Sequence, residues 1–171
     1  MHNYHFCPRC GSNNISLNEI SLKCNDCSLH IFKNNSSAVT ALIVHENNIL
    51  TVKRNHEPSW GMMDLPGGFV DPGESAEDAL KREINEELNL KLISSTYIGS
   101  HPNNYDFGGI TVPCLDLFFK CTIEDFSTLQ AGDDAQSFQW INISEINISD
   151  FAFSSTRYFL DTILRTKDYL L

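Results

Sequence analysis

The sequence predicts a chain of the α/β class with a small cysteine-bearing unit ahead of the main domain, and three observations predict it. Residues 38–44 run almost continuously apolar, as a strand buried on both faces does. Apolar residues recur at helical spacing from Ala76 to Leu88 and again from Phe159 to Leu164. Two Cys-x-x-Cys pairs stand within the first 35 residues, a segment too short to own a core. With 171 residues, 42% of them apolar, the chain has material for one sizeable core and an appendage, divided here into residues 1–35 and 36–171.

In chain order, Cys7-Pro8-Arg9-Cys10 and Cys24-Asn25-Asp26-Cys27 come first, separated by 13 residues. Four thiolates at this spacing read as a tetrahedral zinc ribbon, closed by its own ligands and therefore structural. A redox site would need one such pair at a strand-to-helix turn. A disulfide framework conflicts with an N-terminus lacking the basic flank and apolar stretch of an export signal. That N-terminus, with no apolar run near the ~20 residues of a bilayer span, predicts a cytoplasmic protein without a membrane segment. A contact with nucleic acid or a partner is the ribbon's alternative role.

Residues 33–37 form a polar link to the strand at 38–44. Glu46-Asn47-Asn48 supplies turn residues before residues 49–53, which predicts a hairpin. Leu115, Leu117, Phe119, Cys121 and Ile123 alternate with Asp116, Phe118, Lys120 and Thr122, predicting a strand with one face more polar than the other. Cys121 falls on the apolar face and Cys114 has the opposite parity, so both read as packing residues. Ser154-Ser155 caps a C-terminal helix whose Phe159, Leu160, Ile163 and Leu164 face the core.

Lys and Arg number 12 against 22 Asp and Glu, a formal charge of −10. Residues 1–35 hold three basic and two acidic side chains, so residues 36–171 carry −11. Such a body repels a bare polyanion, which argues against nucleic acid as a main partner, and a phosphate-ester substrate would need metal ions to offset the charge.

Gly and Pro punctuate residues 65–74, after which Ser75 caps a helix with Glu77 and Asp78 in its first turn. Ala76, Ala79, Leu80, Ile84 and Leu88 share a stripe, while Asp78, Lys81, Arg82 and Asn85 face away. Glu77 with Lys81, and Asp78 with Arg82, are spaced to pair on the solvated face. Glu83 and Glu87 instead fall within the apolar stripe, four residues apart, where like charges repel and burial is costly. Neither has a cation four residues away, whereas Glu86 can reach Arg82. A hard divalent cation would relieve the repulsion, and the Gly67-Gly68 turn can present a backbone carbonyl to it, so the spacing suggests a magnesium site.

Gly68, five residues, Glu74, seven residues, then Arg82-Glu83-Ile84-Asn85-Glu86-Glu87-Leu88-Asn89-Leu90 resembles the Nudix box, GX5EX7REUXEEXGU. Every fixed acidic and basic position matches, and Asn89 replaces a Gly while keeping access to the left-handed conformation. The resemblance implies an α/β/α sandwich around a mixed sheet over residues 36–171. It also implies hydrolysis of a nucleoside diphosphate linked to another moiety, with Mg2+ or Mn2+. By the same resemblance Gly67 gives a carbonyl ligand, Glu83 and Glu87 are the main carboxylate ligands, and Glu86 is a ligand or base. Arg82 would orient these carboxylates and Glu74 hold the loop, while water attacks phosphorus. Family members differ in the general base. Asp133 and Asp134 compete with Glu86 for that role, and both also read as a solvated turn.

A zinc ribbon directly before such a domain is similar to the arrangement in NADH pyrophosphatases, whose second motif has the form SQPWPFPxS. Here Ser100-His101-Pro102-Asn103-Asn104-Tyr105-Asp106-Phe107 keeps the Ser and Pro and puts Tyr105 at an aromatic position, without the Trp and later Pro residues. Tyr105 and Phe107 are candidates for stacking against a base, or core aromatics, and Trp60 poses the same choice with a structural role preferred. This resemblance is also compatible with a homodimer. Three readings stay open. The first is a pyrophosphatase cutting NADH, NAD, ADP-ribose or a similar small nucleotide into two monophosphates. The second is a house-cleaning nucleoside triphosphate pyrophosphatase. The third is a nucleotide-sensing or RNA-binding module without turnover, against which the retained repulsive pair argues.

Overall fold

In the computed structural model, which describes residues 4–132 and 135–167, the N-terminal strands are β1 (Ile15–Leu17), β2 (Ser21–Cys24) and β3 (His30–Phe32). They pair antiparallel in that order within the compact unit Met1–Asn35. Among its described residues the buried apolar side chains are Cys7, Leu22 and Cys24, so two of the three are thiols.

The unit Ser36–Leu171 is built on β4 (Ser36–His45), β5 (Asn48–Arg54), β6 (Met63–Asp64) and β7 (Gly67–Phe69). Helix α1 (Ala76–Leu88), β8 (Leu92–Phe107), β9 (Ile110–Ile123), β10 (Ala135–Asn142) and α2 (Ser154–Thr166) follow. The sheet runs β10-β5-β4-β9-β8, with β6 on β5 and β7 on β4. Among the described strands the β4–β9 pairing is parallel and the others are antiparallel, which makes the sheet mixed. Glu46 and Asn47 both take positive φ, 45° and 64°, in the predicted β4–β5 turn.

Alternation along β4 explains its unbroken apolar run. Val39, Ala41 and Ile43 pack with Leu80, Ile84 and Leu88 of α1, while Leu42 packs with Phe159, Leu160 and Ile163 of α2. The helices therefore cover opposite faces of the sheet, the expected α/β/α sandwich. Among the described residues no helix is long and apolar enough to cross a membrane.

Two details differ from expectation. The Asp116 face of β9 is buried: Phe118 is 1% and Asp116 2% exposed, and the Phe118 and Phe159 rings stack at 4.2 Å. Asp116 is tolerated there because Asn103, Tyr105 and Ser155 all donate to it, at 3.0, 3.4 and 2.5 Å. Ser154 and Ser155 lie inside α2, whose N-cap is Phe153 with no side-chain cap bond. The first turn is held from outside instead, Ser155 by Asp116 and Thr156 by Asp64 at 2.8 Å, where the helix dipole favours carboxylates.

Candidate active site

Helix α1 starts where Ser75 accepts the Asp78 N–H at 3.1 Å and ends at Asn89, left-handed with φ 52°. Its last turn has no basic side chain, and the loop after β9 supplies the missing donors. The N–H groups of Gln130 and Gly132 donate to the carbonyls of Leu88 and Glu87 at 3.0 and 2.8 Å. At Gly132 a Cβ would lie 1.9 Å from the Glu86 carbonyl oxygen, so only glycine allows this approach. Asp133 and Asp134, which follow, lie outside the described residues.

Glu87 is buried at 8% exposure and accepts the Gly67 N–H at 2.9 Å. Gly67 has φ 149°, and a Cβ there would stand 2.0 Å from the Val39 carbonyl oxygen. That contact lets β7 lie against β4 and bring the glycine turn under the helix. Glu83 is half-buried beside the turn and Glu86 is exposed.

Arg82 organises the cluster. Its Nε and Nη2 donate to the two Glu74 oxygens at 3.0 and 2.9 Å, and Nη2 also donates to the Phe69 carbonyl at 3.0 Å. Nη1 donates to Glu83 at 2.7 Å and Glu86 at 3.1 Å. These five bonds use every N–H a guanidinium owns. The Glu74 bonds above all raise the Arg82 pKa, and Arg82 in turn lowers that of Glu74. Arg82 thus turns toward the carboxylates rather than pairing with Asp78, which accepts from Ser75 at 2.6 Å. The cation for Glu83 is its chain neighbour, a pairing that a search at four-residue spacing overlooks.

Gly67, Arg82, Glu83 and Glu87 border a cavity of about 390 Å³ lined also by Arg54, Asp64, Phe69, Tyr105, Phe107 and Phe153. Tyr105 forms its wall: the hydroxyl is tied to Asp116, and the ring meets Phe153 edge-on at 4.6 Å and Phe69 at 5.1 Å. Burial, then the Asp116 and Asp64 charges, keep this phenol far above its ordinary pKa. Phe107 lines the cavity at 42% exposure, whereas Trp60, 58% exposed, neither lines it nor joins the core. Sequence reasoning missed Arg54, Asp64, Phe69 and Phe153. Phe69 follows the glycine turn directly and was within reach, but nothing local marks the other three.

Burial pushes the Asp64 carboxyl up to about 6 against the bonds from Thr156 and Leu65 and the charge of Arg54. In the unfolded chain the group ionises near its ordinary value of 3.8, before the folded one. Its contribution to stability is therefore full below about pH 4, falls as pH rises, and is lost above about pH 6. Asp64→Asn is expected to gain roughly 3 kcal/mol on the parent protein between about pH 4 and pH 7 in denaturant titrations. A difference that does not change with pH would contradict this.

In the N-terminal unit the Sγ atoms of Cys7, Cys10, Cys24 and Cys27 lie within 4.8 Å of one another and could hold a metal ion. Burial raises the Cys7 thiol, but the backbone N–H groups of Cys10 and Arg9 and the neighbouring thiols outweigh it and bring the group down to about 6. Among the described residues the carboxylates form no such closed group, since Arg82 spreads Glu83 and Glu86 around its own edge.

A mixed sheet between two helices, carrying a glycine turn and a carboxylate-bearing helix at the rim of a cleft that both helices line, defines an α/β/α protein with a polar site. The profile of the NUDIX domain matches residues 34–162. The chain belongs to the NUDIX domain family. It is similar to the ADP-ribose pyrophosphatase of Methanocaldococcus jannaschii, with 33% identity over 126 residues, 72% of this chain and 70% of that protein. It is also similar to the NAD-capped RNA hydrolase NudC of Vibrio atlanticus, 29% identical over 142 residues, 82% of this chain but 51% of the relative. The chain thus spans about half the length of that relative. A crystal structure of a NUDIX hydrolase from Nitrosomonas europaea shares the fold, with TM-score 0.71, 22% identity and coverage of 95% and 91% of the two chains.

Proposed function

We propose that residues 36–171 form a metal-dependent hydrolase that cuts the pyrophosphate bond of a nucleoside diphosphate derivative such as NADH, NAD or ADP-ribose into two monophosphates. The observation that carries this reading is the Arg82 hub, which commits four of its five N–H groups to Glu74, Glu83 and Glu86 and the fifth to the Phe69 carbonyl, beside buried Glu87 and the glycine turn. A chain stabilised only for folding gains nothing from three carboxylates gathered on one guanidinium at a cavity rim. The donor set is oxygen throughout and fits a hard cation. Glu83, Glu86 and Glu87, with the Gly67 carbonyl, would hold it. When bound, Mg2+ or Mn2+ would activate water and offset the charge that builds on phosphate oxygens.

The chain's own residues divide the remaining work. Glu87 is fixed by the Gly67 N–H, and Arg82 keeps Glu83 and Glu86 oriented while Glu74 anchors Arg82. Glu86 engages Arg82 through Oε2 alone and is exposed, so in this reading it can accept a proton from water. Phe69, Tyr105 and Phe107 provide the aromatic wall for a base. NudC relatives are named for NAD-capped RNA, but a body of −11 repels a long polyanion, which favours the free nucleotide here.

The N-terminal unit is assigned structural zinc. A tetrahedron with Zn–S bonds of ~2.3 Å has S···S edges of ~3.8 Å. Cys7–Cys27 and Cys10–Cys24 stand at 3.6 and 3.7 Å, close to those edges. Incubation with Mg2+ and a panel of NADH, NAD, ADP-ribose and nucleoside triphosphates, with products separated by chromatography, tests the whole reading. Two monophosphates are expected. Pyrophosphate released from triphosphates would replace it with house-cleaning, and no turnover would favour a binding module.

A further inference from the structure

Two guanidinium groups line the cavity, and they are used differently. Arg82 has no donor left for a ligand, and its charge is outnumbered by Glu74, Glu83 and Glu86. Arg54, at the end of β5, donates through Nε to the Pro58 carbonyl at 3.0 Å. Its guanidinium carbon lies 4.6 Å from the centroid of the buried Phe153 ring, and Nη1 is 3.9 Å from Asp64 Oδ2, beyond hydrogen-bond length. Among the described residues neither terminal nitrogen of Arg54 donates a hydrogen bond.

Holding a guanidinium this way is costly without a ligand. Its side chain is 21% exposed, it is held by one carbonyl and one aromatic face, and the residue lines the cavity. Asp64 behind it is a weak counterion, since burial raises that carboxyl and Thr156 and the Leu65 N–H already occupy Oδ1. In a unit of net charge −11 this places an uncommitted, pre-oriented cation in the same cavity as the carboxylates but on a different wall, formed by β5 and the approach to α2. A planar fork with adjacent N–H groups matches the oxygens of a phosphate and is not replaced by an ammonium.

We propose that Arg54 is a specificity-determining residue whose terminal N–H groups bind a phosphate oxyanion of the substrate, on the wall away from the carboxylates of α1. The proposal rests on the hydrolase reading, and it accounts for how so acidic a cleft admits a diphosphate: the carboxylate wall takes cations, and Arg54 takes phosphate oxygens directly. Phe153 and Asp64 act through Arg54, as positioning residues that keep its fork level.

The test is calorimetric titration of the full chain with α,β-methylene ADP, which cannot be cut at its bridge, and with adenosine, for the parent protein, Arg54→Gln and Arg54→Lys. Arg54→Gln is expected to weaken the diphosphate by about 10- to 100-fold while leaving adenosine unchanged. Arg54→Lys should recover part of the loss, because it restores charge without the fork. Unchanged diphosphate affinity in Arg54→Gln overturns the proposal, as does an equal loss for adenosine, which would mark a packing role, or failure of the parent protein to bind the diphosphate. A parent protein that binds the diphosphate through Arg54 yet hydrolyses no nucleotide on the panel would retire the hydrolase reading and leave the oxyanion site standing.

Discussion

Glu87→Gln is expected to lower kcat by at least ~100-fold, the scale on which losing one group that manages developing charge acts, without lowering Tm. The two halves of that outcome come from different atoms. The glutamine Oε1 can still accept the Gly67 N–H that Glu87 accepts at 2.9 Å, so the link between α1 and the glycine turn survives. What disappears is a negative charge at a position 8% exposed and one helical turn from Glu83. Removing it relieves repulsion and desolvation, so Tm should hold or rise. A charge kept for folding would give the opposite pair of results, with Tm falling and turnover following it. Turnover equal to the parent's would refute the placement of a cation at Glu83 and Glu87. Measuring kcat across a magnesium titration alongside thermal melts separates these cases, because a weakened metal site shifts the metal requirement as well as the rate.

The residues behind this prediction were legible because their information is local. Glu83 and Glu87 share a helix, and a period of ~3.6 puts them on the buried stripe whatever the fold around them. The hairpin at Glu46–Asn47 and the left-handed Asn89 were legible for the same reason, since a turn or cap is decided by the few residues that make it. Arg54, Asp64 and Phe153 carry no such local mark. They meet because β6 pairs with β5 and α2 packs across the sheet, and those contacts span 92 positions in sequence for Asp64–Thr156 and 99 for Arg54–Phe153. Asp116 was misplaced on a polar face for a related reason. Alternation shows that a strand has two faces, but not that the second will be covered by a helix 39 residues later whose serine satisfies the charge. Arg82 was placed on the solvated face by the wheel. The wheel fixes where a side chain leaves the helix, not how far a long flexible one reaches back.

Complete removal of zinc is expected to unfold the N-terminal unit while the main domain keeps its structure. Among its described residues the buried apolar groups are Cys7, Leu22 and Cys24, so burial alone supplies far too little to order 35 residues. In the zinc reading the missing stabilisation comes from the metal, and structural zinc in small modules supplies ~10–16 kcal/mol near neutral pH. The main domain draws on two separate apolar clusters, one under each helix, and needs none of it. Hydrogen exchange resolves the two units in one experiment: after chelation the amides of β1, β2 and β3 should exchange without protection while those of α1 and β4 stay slow. Elemental analysis of the untreated protein should find one zinc per chain. Cys24→Ser should reproduce the chelated pattern, because it removes a buried ligand paired at 3.7 Å with Cys10. Protection of β1 to β3 that outlasts complete chelation would mean that strand pairing orders this unit without metal, and the four cysteines would then need a different explanation.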